Sequence, residues 1–245
     1  MAKEKPTKDT LTPDLAILEK AVADNRVNFD PELLGALTQV YDETVPCESL
    51  HRWQDRVIVK EIPKGAYVLD LGCGRGELLG QLIREMEVHG QAVEVDPEAA
   101  MAAMELGVPV LNIDISEVLS DFSDQSFDYI ILESTVQTLW EPLSVLSEIL
   151  RVGKRCVVSF PNFGHWRTRY DLAVKGRMPV TESLPFQWYD TPNIRVLTVS
   201  DFMDWCAKNS VKLICAYGLI NGRVRCITEK DNLMVEEALM FFSRD

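Results

Sequence analysis

The 245-residue sequence is poor in the residues from which metal sites, disulfide scaffolds and membrane spans are built. It has three histidines and six cysteines, and no two cysteines form a Cys-x-x-Cys pair. This pattern argues against a metal site and favours free thiols in a reducing compartment. No apolar run approaches the roughly 18 residues that a spanning helix needs. The first ten residues are polar and charged, so we expect no signal peptide and a cytoplasmic location.

Positive charge is also scarce, because 25 Lys and Arg residues face 38 Asp and Glu residues, giving a formal net charge of −13. Nucleic-acid binders need basic residues that displace counterions from phosphates, so a general nucleic-acid partner is not expected. Apolar residues, in contrast, make up 47% of the chain, enough for one substantial core. We predict a single domain over residues 51–245, preceded by a partly disordered or helical extension over residues 1–50.

Apolar runs alternate with amphipathic segments over most of the chain, a pattern typical of an α/β fold with an open parallel sheet. Prolines and acidic residues that favour helix starts precede several of the amphipathic segments. We predict seven strands in a Rossmann-like sheet that is mostly parallel and ends in an antiparallel strand. The predicted strands are residues 67–71, 91–96, 109–114, 127–133, 155–160, 211–220 and 237–242.

The first predicted strand ends near Asp70, and glycines follow at three alternate positions, 72, 74 and 76. Such glycines permit a positive φ and let the backbone approach a ligand closely. A dinucleotide fingerprint would place its third glycine where this chain has Glu77, and a P-loop would end in Gly-Lys-Ser or Gly-Lys-Thr. The pattern that remains, D-x-G-x-G-x-G, resembles the S-adenosylmethionine loop of class I methyltransferases.

This resemblance implies a cofactor site at the carboxyl ends of the strands, where open α/β sheets bind their ligands. Asp70 and the glycine loop would surround the methionine moiety, Glu94 would accept the ribose hydroxyls, and Asp114 would bind the adenine amine. The alternative for each acid is a solvated loop position or a helix cap, and we prefer this alternative for Asp96. The implied cofactor-binding residues are Asp70, Gly72, Cys73, Gly74, Gly76, Glu94, Val95, Asp114, Ile115 and Glu133.

The methyl acceptor has no comparable signature. Residues 133–137 lack the Asn/Asp-Pro-Pro-Tyr/Phe motif of amide and amino-group methylation, and they lack the Pro-Cys nucleophile of cytosine methylation. Methyl transfer depends mainly on alignment, and a general base is needed only when the acceptor must lose a proton. The sequence therefore predicts a cofactor class and leaves the acceptor open.

The segment after the fifth predicted strand is rich in aromatic and basic residues, with seven Lys or Arg and one acid between residues 151 and 177. Loops of this composition commonly form a lid, a pocket or a partner surface. His165 is a candidate general base or a helix-start residue, and Arg167 and Arg169 are candidates to bind a carboxylate or phosphate, or form a solvated face. The candidate substrate- or partner-binding residues are Asn162, His165, Trp166, Arg167, Arg169, Gln187, Trp188 and Tyr189.

Three stretches in this part of the chain carry a narrower resemblance. They are V-S-F-P-N-F-G-H-W-R at 158–167, G-R-M-P-V-T at 176–181 and P-F-Q-W-Y-D-T-P-N-I at 185–194. With the glycine loop, they resemble the methionine biosynthesis protein MetW family, from about Trp53 to the C-terminus. The resemblance implies a bacterial protein with a methyltransferase-like fold that works beside homoserine O-acetyltransferase.

Two functional hypotheses follow. In the first, which we favour because no acceptor motif is present, the protein binds S-adenosylmethionine and supports or regulates homoserine O-acetyltransferase. In the second, it is an active methyltransferase on a small anionic acceptor, so a small-molecule substrate stays open. A nicotinamide dehydrogenase is disfavoured by Glu77 at the third-glycine position.

Overall fold

Eight strands form one sheet in the computed structural model, which describes residues 52–244, and helices cover both faces of the sheet. The helices predicted within residues 1–50 lie outside the described range. The strands are β1 Tyr67–Leu71, β2 His89–Val93, β3 Val110–Leu111, β4 Phe127–Glu133, β5 Gly153–Pro161, β6 Val211–Ile220, β7 Arg223–Cys226 and β8 Glu237–Arg244. The α-helices are α1 Trp53–Glu61, α2 Glu77–Met86, α3 Pro97–Glu105, α4 Ile115–Val118, α5 Pro142–Val152, α6 Trp166–Tyr170 and α7 Val199–Lys208.

The spatial order of the strands is β3-β2-β1-β4-β5-β8-β6-β7. Strands β1 to β5 pair in parallel, β8 lies antiparallel between β5 and β6, and β7 is antiparallel to β6. The predicted α/β class and mostly parallel sheet are therefore confirmed. The order reverses where β1 separates β2 from β4, and ligands of open α/β sheets bind outside the carboxyl ends at such a point.

The predicted number of seven strands is wrong, because β7 was missed. Asn221 and Gly222 both have positive φ, 50° and 72°, and they join β6 to β7 in a two-residue hairpin in which Ile220 faces Arg223. Asn-Gly is the dipeptide that such hairpin turns favour, so the signal was present in the sequence. The strand itself, Arg-Val-Arg-Cys, lacks the apolar run of a central strand because it is a partly exposed edge strand.

Four other strands have bounds that differ from the predictions. Strand β5 spans Gly153–Pro161 rather than 155–160, and β8 spans Glu237–Arg244 rather than 237–242. Strand β2 ends at Val93 rather than at residue 96, and β3 contains two residues. Thr198 caps the start of helix α7 in a capping box with Asp201. The early end of β2 leaves Glu94 and Val95 beyond the strand, where the backbone turns toward the glycine loop.

Alternating side chains of the central strands build a core on each face of the sheet. Val68 of β1 packs with Ile58 of α1 and Leu79 of α2, whereas its neighbour Leu69 faces the side on which Ile149 of α5 lies. Each of these side chains is fully buried, and such burial contributes about 1.5–3 kcal/mol per residue. The two cores hold the carboxyl ends of the strands in a rigid frame. Within residues 52–244, no helix is long and apolar enough to cross a membrane.

Asn162 joins three segments directly after β5. Its amide Nδ2 donates to the carbonyls of Asn232 and Val235, both at 2.7 Å. Its Oδ1 accepts the backbone N–H of Gly164 at 2.9 Å and that of Val199 at 3.1 Å. The side chain is almost completely buried, so its hydrogen bonds hold the end of β5, the start of α7 and the loop before β8 together.

We expect Asn162→Ala to lower the free energy of unfolding by about 2–4 kcal/mol, because buried donors and acceptors in three segments lose their partner. Asn209→Ala is the matched control, since its amide makes one exposed bond to the Trp205 carbonyl, and about 1 kcal/mol or less should be lost. Denaturant unfolding of both variants measures the difference. Equal losses would contradict the proposed role of Asn162.

Candidate functional site

The chain turns between β1 and α2 through the three glycines predicted from the sequence, which have φ values of 77°, 55° and 75°. A Cβ on Gly72 would lie 2.7 Å from Thr135 Oγ1, and one on Gly76 would lie 2.6 Å from Ala103 Cβ. A Cβ on Gly74 would meet no atom of the described chain within 4 Å. Packing therefore requires the first and third glycines, whereas the second leaves space beside the loop.

That space is a cavity of about 180 Å³, which we call the glycine-loop cavity. Its walls come from the glycine loop, the end of β1, the end of β4 and the start of α1. Sites that enclose a complete drug-sized ligand measure about 300–1,000 Å³, so this cavity can enclose part of such a molecule. It is lined by Arg52, Asp55, Asp70, Gly72, Cys73, Gly74, Arg75, Glu77, Leu78 and Glu133.

Two buried carboxyl groups give the glycine-loop cavity its electrostatic character. Burial raises the pKa of Asp70 to about 7, although the nearby Arg52 guanidinium acts in the opposite direction. Glu133 pairs with Arg52 through Oε2 and Nη2 at 2.6 Å, and burial raises its pKa against the effect of that pair. Within residues 52–244 the second oxygen, Oε1, is buried and has no hydrogen-bond partner. Such a site favours a ligand that brings positive charge or hydrogen-bond donors.

Glu94 connects the end of β2 to the glycine loop. Its Oε2 accepts the backbone N–H of Gly74 at 2.8 Å, and its Oε1 accepts that of Asp96 at 2.9 Å. Each carboxylate oxygen has further acceptor capacity, so these two hydrogen bonds do not exhaust the carboxylate. Asn112, which the sequence analysis missed, donates to the carbonyls of Glu94 and Val95 at 2.8 Å and 3.1 Å.

Asp114 acts as a helix cap in this structure. Its Oδ1 accepts from the backbone N–H of Ser116 at 2.7 Å and from the Ser116 hydroxyl at 2.5 Å, at the start of α4. The side chain lines a separate cavity with Trp140. Ile115 is buried in the core, and Val95 is exposed.

The predicted cofactor residues therefore fall into two groups. Those brought together at the glycine-loop cavity are Asp70, Gly72, Cys73, Gly74 and Glu133, with Glu94 hydrogen-bonded to its edge. Gly76 packs on α3, and Val95, Asp114 and Ile115 do not line this cavity. Burial and the nearby Asp70 raise the pKa of the Cys73 thiol to about 12, so it is protonated at neutral pH and is a poor nucleophile.

His165 is buried at the start of α6, and its ring lies 5.7 Å from that of Trp166. Burial, together with Arg167 and Arg169, lowers its pKa to about 3. A histidine with so low a pKa is a weak proton acceptor. It does not line the glycine-loop cavity, so its position favours the helix-start role over general-base catalysis.

The other candidate residues of the aromatic and basic segment differ in their burial and contacts. Asn162 and Trp166 are buried, Arg169 Nε donates to the Gly164 carbonyl at 2.6 Å, and the Arg167 guanidinium lies 5.3 Å from the Trp166 ring centroid. These side chains do not line the glycine-loop cavity. Gln187, Trp188 and Tyr189, in contrast, are exposed on the segment that precedes α7.

A second cavity of about 520 Å³, which we call the adjoining cavity, shares Arg52 with the glycine-loop cavity. Most of its polar lining residues were not predicted, because they belong to no motif and come from distant parts of the chain. They include Arg52, Gln137, Glu182, Glu236 and Glu237.

Comparison with known proteins now identifies the family. The family model described as "Methionine biosynthesis protein MetW" matches residues 52–241, which include both cavities. The chain belongs to the MetW family. A relative from Rhodopirellula baltica, "Bifunctional methionine biosynthesis protein MetXA/MetW", is 35% identical over 169 residues, or 65% of this chain. The matched part is 27% of that relative's length, so the chain corresponds to about a quarter of the relative.

Solved structures show the same fold for this MetW-family chain. A methyltransferase from Thermotoga maritima, described as a possible histamine N-methyltransferase, has a TM-score of 0.58 and 17% identity over 78% of this chain and 87% of its own. A TehB-like methyltransferase from Corynebacterium glutamicum has a TM-score of 0.54 and 17% identity over 94% and 99%. The cyclase SpnF has a TM-score of 0.56 and 16% identity over 78% and 80%. Identities this low establish the methyltransferase fold and no specific activity.

The raised pKa of Asp70 has a measurable consequence for stability. An aspartate ionises near pH 3.9 in an unfolded chain, whereas Asp70 ionises near 7 when folded. The folded state therefore binds an extra proton between these values, and stability falls as the pH rises through that window. Asp70→Asn removes this dependence. As the pH rises from about 5 to about 8, we expect the free energy of unfolding of the variant to increase by about 1–3 kcal/mol relative to that of wild type.

Denaturant unfolding of wild type and Asp70→Asn, each at about pH 5 and about pH 8, measures this gain. Asp128→Asn is the control, because the pKa of Asp128 is lowered by its hydrogen bond with Lys154. Its stabilising effect is complete above about pH 4, so this substitution should cost the same free energy at both pH values. A constant difference between wild type and Asp70→Asn would contradict the proposed electrostatics of the cavity.

Proposed function

We propose that this protein binds S-adenosylmethionine at the glycine-loop cavity and, in methionine biosynthesis, supports or regulates homoserine O-acetyltransferase. The observation that carries the proposal is the convergence of Asp70, Glu94 and Glu133 on one loop at the carboxyl ends of three adjacent strands.

The residues present fit S-adenosylmethionine. Its sulfonium and ammonium groups are cations, and Asp70 and Glu133 supply buried carboxyl groups at the cavity. Its ribose carries two hydroxyls, and both oxygens of Glu94 keep acceptor capacity. The space beside Gly74 can receive a ligand without displacing a side chain. Asp70 and Glu133 would hold the methionine part, and Glu94 would hold the ribose.

The accessory role is supported by the relative from Rhodopirellula baltica, whose name joins MetXA and MetW in one protein. The family resemblance implies work beside homoserine O-acetyltransferase, so we take the MetXA part of that relative to be this enzyme. A fusion keeps two proteins at a high effective concentration, as is useful when they act together. We infer that this chain achieves the same association through a surface contact.

An exposed aromatic surface suits that contact. Trp188 and Tyr189 are 73% and 69% exposed, and Trp140 is 77% exposed. The segment that carries Trp188 and Tyr189 is fixed at its C-terminal end. There the Gln137 carbonyl accepts the backbone N–H groups of Ile194 and Arg195 at 3.0 Å and 2.9 Å. Ordered aromatic side chains are the residues on which binding energy concentrates at protein interfaces. We therefore propose the acetyltransferase contact at Trp188 and Tyr189, whose ring centroids lie 5.5 Å apart.

A second candidate function is methyl transfer to a small molecule, and the adjoining cavity favours it. This cavity has room for an acceptor and meets the glycine-loop cavity at Arg52. The cofactor would supply an electrophilic methyl group, and the chain would align the acceptor and exclude water. Incubation with S-adenosylmethionine carrying a labelled methyl group, followed by a search for labelled product, separates this function from binding alone.

We expect calorimetry to detect S-adenosylmethionine binding by wild type and a loss of at least about tenfold in affinity for Glu94→Ala, because hydrogen bonds to a charged group are lost. Glu98→Ala is the matched control, since this exposed acid lies outside the cavity lining. Gly74→Ala should also weaken binding by placing a methyl group in the open space. Absent binding by wild type, or equal affinity of wild type and Glu94→Ala, would contradict the cofactor assignment.

We expect homoserine O-acetyltransferase to co-purify with the wild-type protein and to change its rate when the protein is added. Replacing both Trp188 and Tyr189 with alanine should weaken the association by at least about tenfold, as is typical of aromatic residues at interface centres. Met101→Ala is the control, because this side chain is 63% exposed on α3. No association and no change in rate would refute the accessory role, whereas an unaffected double variant would refute only the surface.

A further inference from the structure

The adjoining cavity combines an apolar body with one acidic wall. Trp53, Phe160 and Phe186 contribute aromatic surface, and Pro185 and Leu219 contribute further apolar atoms. The cavity's volume of about 520 Å³ lies within the roughly 300–1,000 Å³ of small-molecule sites. Its lining can therefore bury the apolar part of a small organic ligand and leave the polar end to the acidic wall.

Three carboxylates form that wall: Glu182, Glu236 and Glu237. Burial raises the pKa of Glu236, and the negative charges of Glu182 and Glu237 act in the same direction, although Arg167 opposes them. Glu236 accepts the Asn221 backbone N–H at 3.0 Å. Glu237 accepts from Trp53 Nε1 at 2.8 Å and from Gln54 Nε2 at 2.7 Å. These donors are neutral, so they orient the carboxylates without cancelling their charge.

The Arg52 guanidinium also lines the adjoining cavity, but its charge is directed to the other site. Its Nη2 lies 2.6 Å from Glu133 Oε2, and Asp55 and Asp70 also favour its charged form. The basic residues expected to bind an anion, Arg167 and Arg169, do not line this cavity. Arg52 is the only Lys or Arg among the described residues that line this cavity, and its charge is already paired with Glu133. The three carboxylates in the same lining repel an anionic ligand.

Gln137 supplies a second, independent observation. Its side chain is 4% exposed and forms part of the cavity wall. Its Nε2 donates to the Ser134 carbonyl at 2.7 Å, which orients the amide. Its Oε1 is then left buried without a hydrogen-bond partner among residues 52–244. A buried acceptor without a donor is unfavourable, and a ligand that donates hydrogen bonds would correct this deficit.

We propose that the adjoining cavity binds a small organic ammonium ion, whose apolar part packs on the aromatic wall and whose charged group meets Glu182, Glu236 and Glu237. The ligand class is therefore an amine rather than the anionic acceptor expected from the basic segment. The three carboxylates and Gln137 do not line the glycine-loop cavity, so the proposal stands whether or not the proposed cofactor binds.

Three probes of matched shape test the proposal: 2-phenylethylammonium, 2-phenylethanol and 3-phenylpropionate share one apolar part and differ in charge. We expect calorimetry or ligand-observed NMR on the full chain to show the ammonium binding at least about tenfold more tightly than the carboxylate, with the alcohol between them. Glu182→Gln should weaken ammonium binding at least about threefold and leave alcohol binding unchanged, because only a charge is removed.

Glu98→Gln is the control for general attraction of cations to an acidic protein, since it removes the same charge at an exposed position on α3. The proposal fails if the ammonium does not bind at millimolar concentration or if the carboxylate binds as tightly. It also fails if both glutamine variants weaken the ammonium equally. Titration of S-adenosylmethionine into Glu182→Gln tests the glycine-loop cavity separately, because Glu182 does not line it. Unchanged S-adenosylmethionine binding by this variant would show that a loss of ammonium binding is specific to the adjoining cavity.

Discussion

The burial of Asp70 and Glu133 at the carboxyl ends of two paired parallel strands is the constraint on which the rest of the site depends. Two acidic side chains held out of water must be protonated, paired or matched by a ligand, because an isolated buried charge is costly. Arg52 meets part of this need through its 2.6 Å contact with Glu133. It reaches the site from the start of α1, whose first turn is joined to Glu237 of β8 by Trp53 and Gln54. One end of the sheet therefore connects the glycine loop, α1 and the acidic wall of the adjoining cavity.

The two cavities share Arg52 but differ in chemistry. The glycine-loop cavity is narrow and acidic, whereas the adjoining cavity is larger, with aromatic and acidic walls. Arg52 stands between them, so any ligand that draws Arg52 away from Glu133 changes the charge that both cavities present.

Much of the fold followed from local sequence patterns. Strands β1, β4 and β6 have the predicted bounds, because apolar runs act over a few neighbouring residues. The missed strand β7 had its own signal in Asn221-Gly222, but a short polar edge strand is stabilised by pairing with β6, and that pairing lies outside any local window. The glycine loop was recognisable because positive φ and close packing restrict each of its positions to few residue types.

The amino-acid sequence by itself determined the fold class, the glycine loop and the family. Each depends on local patterns of contiguous residues, whose types are restricted by backbone geometry. Tertiary structure decided the roles of the side chains. It buried His165 and Asn162 away from both cavities, used Asp114 as a helix cap, and brought Arg52, Gln137, Glu182 and Glu237 to one wall from four distant segments. Their spacing along the chain carries no periodic or motif signal. Only the order of the strands and the packing of α1 bring these side chains to the same cavity.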